Sequence, residues 1–409
     1  MRDRDLYAKI LGIEAPWKVV DVELSLKGGD VTVRVEHEGK KLRCPECGAE
    51  SGRYDARERR WRHLDTCQYR TILVAKVPRV SCEAHGVRQV EVPWAEVGSR
   101  FTAMFEALVI DWLKETTVSA VARRMDLSWD EAGGIMDRAV ARGLARRELA
   151  LPTRLGVDET AFQKRHEYVT VVNDLEGRVV HVADGRGKDT LAAFYRQFDA
   201  DALDAVEVVA MDMWPAYINA TREHVPDADK KIAFDKFHVA QHLGDAVDKV
   251  RREEHQALLP HDDDRLKGTK YLWLRHPDKL SEAAWAAFAN LRESALKTAR
   301  AWAIKESAMM LWSYRSRAFA ARAWRRWYGW AIRSRLAPIK RVARMVKAHL
   351  DGIITAIIKN VTNARAEGLN AAIQRLKYNA RGYRNRQRFR NAIYFHLGGL
   401  DLYPRPLSP

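Results

Sequence analysis

At 409 residues the chain has room for roughly two to four domains, each with a proper core. Lys plus Arg number 70 against 54 Asp plus Glu, a formal net charge of +16, so a polyanionic partner is favoured, most often nucleic acid. The 4 cysteines are too sparse for a disulfide scaffold, and no run of ~18 apolar residues exists to span a membrane.

The N-terminus, MRDRDLYAKILGIEAP, is charged and has no apolar signal region. A reducing, cytoplasmic and nucleoid-associated setting is therefore expected. Residues 1–95 read as a small metal module. Val19 to Leu26 and Asp30 to Glu36 alternate as strands around Gly28-Gly29, a hairpin signal. Cys44-Pro45-Glu46-Cys47 and Cys82-Glu83-Ala84-His85 are two knuckles, each bringing two ligands to one tight turn. Together they make a tetrahedral Cys3His set for one structural Zn2+, a zinc-ribbon pattern with every position filled by protein. His63 or Cys67 remains an alternative fourth ligand. The basic stretch RYDARERRWRH between the knuckles is either a solvated face or a phosphate contact.

Residues 96–150 read as a helix-turn-helix. Phe101 to Lys114 has apolar residues at helical spacing. Val118, Val121, Ala122 and Met125 form the stripe of a second helix, which stops near Asp126-Leu127. Ser128 with Glu131 is a capping box opening a third, whose buried face continues through Ile135, Met136 and Val140. Two short helices, a tight turn and basic flanks suit a DNA reader, with Arg123, Arg124 and Arg138 as contacts. An ordinary α-hairpin or a dimerisation element fits the same pattern.

Residues 151–240 carry strands that end in acids. Leu155 to Thr160, Tyr168 to Asn173 and Arg178 to Ala183 are three strands, and Asp189 to Phe198 a helix. Val206 to Met211 is a fourth strand running into Asp212, with Pro215 starting a helix. Lys231 to Phe234 is a fifth, followed by Asp235-Lys236-Phe237-His238 entering another helix. The order β-β-β-α-β-α-β-α is that of the RNase H-like fold, in which the first and fourth strands are neighbours. Asp158 and Asp212 then lie side by side. Two such carboxylates stay ionised together only around a cation. Oxygen ligands favour Mg2+ or Mn2+, and two such ions can drive an in-line displacement at a phosphodiester. Glu159 and Asp235 are nearby candidates for a third acid; Glu367, far downstream, is the better one. His238 reads equally as a site residue or as helix packing.

Residues 241–355 have almost no strand signal and read as an all-helical insertion, rich in Trp and in Lys/Arg. Most of these Trp belong in a core. The sharper expectation is a DNA-facing surface in which Trp327 or Trp330 stacks on a base while Arg325, Arg326, Arg333 and Arg335 hold phosphates. Residues 356–409 supply a closing helix and a basic tail. Asn363, Glu367, Asn370 and Gln374 share one helical face. Arg375, Lys377, Arg381 and Arg384, interleaved with Tyr378, Tyr383 and Phe389, suit nucleic acid.

CPEC, CEAH, the helix-turn-helix, GVDET, AMDMWPAY, FDKFHV and TNARAEGLNAAIQRLKYNARGYRN together resemble a bacterial insertion-sequence transposase of the DDE type, the ISL-three family. The resemblance covers roughly residues 40–395. It implies Asp158, Asp212 and Glu367 as the catalytic triad, with the helical region inserted before the Glu. It also implies two Mg2+ or Mn2+ ions, binding to terminal inverted repeats and target DNA, and homo-oligomerisation, as a dimer. The expectation is a multidomain α+β enzyme that cleaves and transfers DNA strands. Its rivals are a zinc and helix-turn-helix regulator with a degenerate catalytic domain, and a nuclease or integrase of the same fold.

Overall fold

The computed structural model describes residues 3–39, 41–163, 167–275, 280–294, 296–361 and 364–405. They form two compact units: residues 1–147 with 399–409, and residues 148–398.

The first unit opens with α1 (Asp3–Ile10), β1 (Trp17–Ser25), β2 (Asp30–His37), β3 (Leu42–Arg43), β4 (Glu50–Arg62), β5 (Arg70–Cys82) and β6 (Gly86–Gln89). β1 and β2 form the expected antiparallel hairpin, and Gly29 supplies its left-handed turn at φ +70. The sheet order is β1-β2-β5-β4-β3, with β6 on β5. Val31, Val33 and Val35 alternate inward along β2. They meet Trp17, Trp61, Leu73 and Trp94, whose indoles pack edge to face about Trp94 at 4.8 and 5.4 Å.

Three helices follow: α2 (Ala103–Glu115), α3 (Val118–Arg124) and α4 (Trp129–Arg146). Thr102 and Thr117 cap the first two, and the Ser128–Glu131 capping box closes reciprocally on α4. Residues 399–405 belong to this unit. Arg142 donates to the Leu402 carbonyl at 2.5 Å, and Arg146 pairs with Asp401 at 2.8 Å.

The second unit begins with β7 (Arg154–Gln163), β8 (Glu167–Asn173), β9 (Val179–Asp184), α5 (Lys188–Tyr195), α6 (Ala200–Asp204) and β10 (Val208–Met211). Then come α7 (Pro215–His224), α8 (Ala228–Lys231), β11 (Ile232–Phe234) and α9 (Lys236–Leu258). The sheet order is β11-β10-β7-β8-β9. β7, β8 and β9 are an antiparallel meander, while β10 and β11 run parallel to β7. The first and fourth strands of this sheet are thus neighbours.

The chain continues through α10 (Lys270–Leu274), α11 (Glu282–Glu293), α12 (Lys297–Met310), α13 (Arg317–Ile332), α14 (Ala337–Ala348) and α15 (Leu350–Ile358). α16 (Ala364–Asn379) and α17 (Arg386–Leu397) complete it. No strand occurs among the described residues of this stretch. One apolar cluster runs from Leu155, Val209 and Met211 in the sheet through Val239 and Val247 in α9 to Trp302, Trp324 and Ile339. The helical stretch therefore shares a core with the sheet instead of folding around one of its own. No helix among the described residues is long and apolar enough to cross a membrane.

Candidate active site and metal centre

Strand register builds the acid site. Val157 is opposite Met211, and Met211 is opposite Phe234. The next residue on each parallel strand is an acid: Asp158, Asp212 and Asp235. Three carboxylates thus stand level at the carboxyl ends of adjacent strands, where open α/β sheets place their chemistry. Side-chain alternation puts Asp158 on the face of Thr160, toward α16.

Burial pushes the Asp158 carboxyl above its ordinary range. The Asn370 amide, the Glu159 backbone N–H and the charge of His238 pull against that rise. Asn370 donates to Asp158 Oδ2, and the Glu159 N–H reaches Oδ1 at 2.7 Å. Gln374 donates to Thr160 Oγ1 at 2.9 Å, and Lys377 to the Ala161 carbonyl at 2.5 Å. Asn370, Gln374 and Lys377 recur at i, i+4 and i+7, so one polar stripe of α16 is fastened along β7. Glu367 lies on α16 one turn before Asn370; its side chain, like all of Asn363, falls outside the described residues.

Asp235 caps α9 by accepting the His238 N–H at 3.0 Å and also holds the His238 ring at 2.9 Å through Nδ1. The other ring nitrogen faces Asp212 Oδ2 at 4.0 Å. Burial acts to lower the His238 pKa, but the Asp235 hydrogen bond and the charges of Asp235, Asp212 and Asp158 push it up to about 9. The imidazole is thus a cation among carboxylates at neutral pH. Asp235 is 4 % exposed and spent on this cap, so it is a positioning group more than a ligand. Glu159 is raised by burial and by the charges of Asp158 and Asp212, and Arg186 lies 3.8 Å away.

The cysteine knuckles are in the first unit. Cys44, Cys47, Cys82 and His85 bring their ligand atoms within 4.8 Å of one another. Cys47–Cys82, Cys44–His85 Nδ1 and Cys82–His85 Nδ1 are each 3.7 Å apart. A tetrahedral zinc with sulfur ligands at ~2.3 Å requires edges of ~3.8 Å, so the donor set fits that ion. Gly48 and Gly86 turn the knuckles in the left-handed region, φ +71 and +67. Hydrogen bonds from the His85 backbone and ring hold the Cys82 thiol down to about 6, toward the thiolate a metal needs. Glu46 Oε2 stands 3.7 Å from His85 Nε2. The alternative ligands do not join them. His63 is buried against the Thr102 hydroxyl at 2.9 Å, and Cys67 sits exposed in a turn at φ +53.

The expected nucleic-acid contacts divide by exposure. Arg123, Arg124, Arg325, Arg326, Arg375, Arg381 and Arg384 are exposed. Three others are not available. Trp327 is 4 % exposed and donates its indole N–H to the Ile304 carbonyl at 2.9 Å, so it is a core residue and stacks on no base. Arg138 turns inward to the buried Glu106 at 2.6 Å. Lys377 is spent on β7. Phe389 is likewise fully buried. Trp330, by contrast, is 42 % exposed and follows Phe319, Arg322 and Arg326 along one stripe of α13. No acid occurs between Glu306 and Asp351, and none of Arg322, Arg325, Arg326 and Arg333 has an ion-pair partner among the described residues. Neither the position of Arg186 nor the Asn370–Asp158 contact is visible in the sequence alone. The i+3 spacing of Asn370 from Glu367 is a hint of the second.

Residues 155–393 match the ISL3 family model of transposases. Residues 90–140 match the helix-turn-helix domain of transposase family ISL3, and residues 40–85 the zinc-finger of the transposases of IS204, IS1001, IS1096 and IS1165. The chain is 29% identical over 369 residues to the transposase for insertion sequence element IS1001 of Bordetella parapertussis, covering 88% of this chain and 90% of that protein. It is 29% identical over 419 residues to the transposase for IS1557 of Mycobacterium tuberculosis, covering 95% and 94%.

Proposed function

The chain belongs to transposase family ISL3, and from that premise we propose that it cuts and joins insertion-sequence ends at an RNase H-like site made of Asp158, Asp212 and Glu367. It is a DNA transposase with a DNA-binding helix-turn-helix, and so an enzyme that cleaves and transfers DNA. The observation that carries the site is the register. Val157 opposite Met211 leaves Asp158 and Asp212 side by side on adjacent parallel strands. The strand order β9-β8-β7-β10-β11 supports the RNase H-like reading. The Asn370–Asp158 contact supports Glu367 as third member, because it holds the first turns of α16 at the acids.

A half-buried carboxylate beside a second one is an all-oxygen donor set, which fits Mg2+ or Mn2+. Two such ions, when bound, supply activation of the attacking oxygen and stabilisation of the leaving oxygen. The protein's own groups do the rest. Asn370 fixes the rotation of the Asp158 carboxylate. Asp235 holds His238 so that its ring faces Asp212. Cys44, Cys47, Cys82 and His85 hold one structural Zn2+ that ties β3 to the end of β5. Arg123 and Arg124 on α3 meet the phosphates of the inverted repeats. The acid-free α13–α14 surface, with Arg325, Arg326 and Trp330, and the basic residues Arg375, Arg381 and Arg384 meet phosphates nearer the cut. The chain acts in the cytoplasm as a homo-oligomer, a dimer, with two ends paired.

The test is cleavage and joining of end-bearing duplex DNA by the wild type and by Asp158→Asn, Asp212→Asn and Glu367→Gln. Each variant is expected to lose at least ~10³-fold in cleavage while still binding the end. Wild-type activity in any one removes that residue from the site.

A further inference from the structure

Arg186 sits in the turn between β9 and α5, and both its backbone and its side chain are fixed. The Gly185 N–H bonds the Tyr168 carbonyl at 2.8 Å, and the Gly185 carbonyl accepts from Thr170 Oγ1 at 2.7 Å. The Arg186 carbonyl accepts from the Trp214 indole at 3.0 Å. The guanidinium lies over the rings of Tyr168 and Trp214, at 4.1 and 4.7 Å from their centres. Gly185 itself has φ +88, so the turn is built for this path.

The supports of this arginine are next to the acids in sequence, and the charges of Asp158, Asp212 and Arg186 all act on Glu159. Glu159 follows Asp158, and Trp214 lies two residues past Asp212. Thr170 shares a hydrogen bond at 2.9 Å with Tyr217. An arginine held flat on aromatic rings keeps its edge N–H groups free for oxygen ligands. Among the described residues its one acid is Glu159, at 3.8 Å, beyond hydrogen-bond reach. One Glu159 oxygen, Oε2, is buried with no hydrogen-bond partner among the described residues. Five donors on a guanidinium are too many to leave to one distant carboxylate. Its side chain is 34% exposed, so an incoming oxyanion can reach it.

We propose that Arg186 is a phosphate-binding residue of the strand-cleavage site, holding a phosphodiester of the DNA strand that lies across Asp158 and Asp212. It rests on the acid-site reading above. Tyr168 and Trp214 are its positioning residues. They fix the fork in advance, so the contact is made without ordering a free side chain at the moment of reaction.

The experiment combines protein and DNA changes. Wild type, Arg186→Ala and Arg186→Lys are assayed for end binding and for single-turnover cleavage. The substrates are end duplexes carrying one neutral methylphosphonate at a time near the cut. Arg186→Ala is expected to lose ~10²-fold or more in cleavage with end binding within a few-fold, and Arg186→Lys to recover part of it. One methylphosphonate position should slow wild type strongly and slow Arg186→Ala no further. If every neutralised phosphate slows both proteins alike, or Arg186→Ala cleaves as wild type does, the proposal is overturned. Should Arg186→Ala fail to fold, the same comparison with Arg186→Lys decides. Asp158→Asn run alongside separates the two readings. Full activity there overturns the acid site, whereas an inactive Asp158→Asn beside a fully active Arg186→Ala overturns the phosphate contact alone.

Discussion

His238 takes its charge from its neighbours, and that gives it a signature in pH. Its folded pKa, about 9, stands above the ordinary 6.5 of a free histidine. The stabilisation is fully present below pH ~6.5 and is lost as pH rises through ~9. In protein without Mg2+, urea unfolding of wild type and His238→Gln should differ by about 2–3 kcal/mol at pH 6 and converge by pH ~10. A gap that does not change with pH would show that the folded pKa of the ring is not raised. His63 has the opposite sign. Burial, with the charge of Arg62, pushes it down to about 4, so its penalty develops as pH falls from ~6.5 toward 4. Trp327 and Trp330 separate in the same way. Trp327→Ala should cost ~3–5 kcal/mol of stability, while Trp330→Ala should leave the melting point unchanged and weaken DNA binding. The two residues are three apart on one helix and read alike in sequence, because spacing gives a face but not which face is inward. The same ambiguity hid the inward turn of Arg138.

At the scale of elements, what was legible had chemistry at fixed offsets. The Gly28-Gly29 hairpin, the Ser128–Glu131 capping box, the two knuckles and the strands ending in acids each announce themselves within a few residues. α1, α6 and α8 went unseen: α6 and α8, of five and four residues, complete too few turns to show a period, and α1 buries no residue that would mark a face. The stripe of α16 was legible as a shared face, but its partner strand is far away in sequence, so Asn370 on Asp158 was not. The knuckles carry a prediction of their own. Purified wild type should hold about one zinc per chain. Cys82→Ser should hold almost none and be cut by protease between Cys44 and Gly48. Zinc-free wild type with an intact, protected knuckle would contradict the site.

For the whole molecule, charge and core give different divisions. The net +16 is unevenly spent: an acid-free tract covers α13 and α14, while the acids gather at the ends of β7, β10 and β11. That contrast suits an enzyme that must hold a polyanion and concentrate cations at one place. The helical stretch looked from sequence like a separate body, because strands stop and Trp accumulates. Its apolar cluster is continuous with the sheet because α9 begins at the acid site and carries Val239 and Val247 into both. The most direct measurement is anomalous diffraction from crystals grown with Mn2+ and a cleaved transposon end. Mn2+ is expected between the carboxylates of Asp158 and Asp212, with Glu367 reaching the same ions from α16. Mn2+ bound elsewhere, or Glu367 turned away from ions that Asp158 and Asp212 hold, would contradict this site.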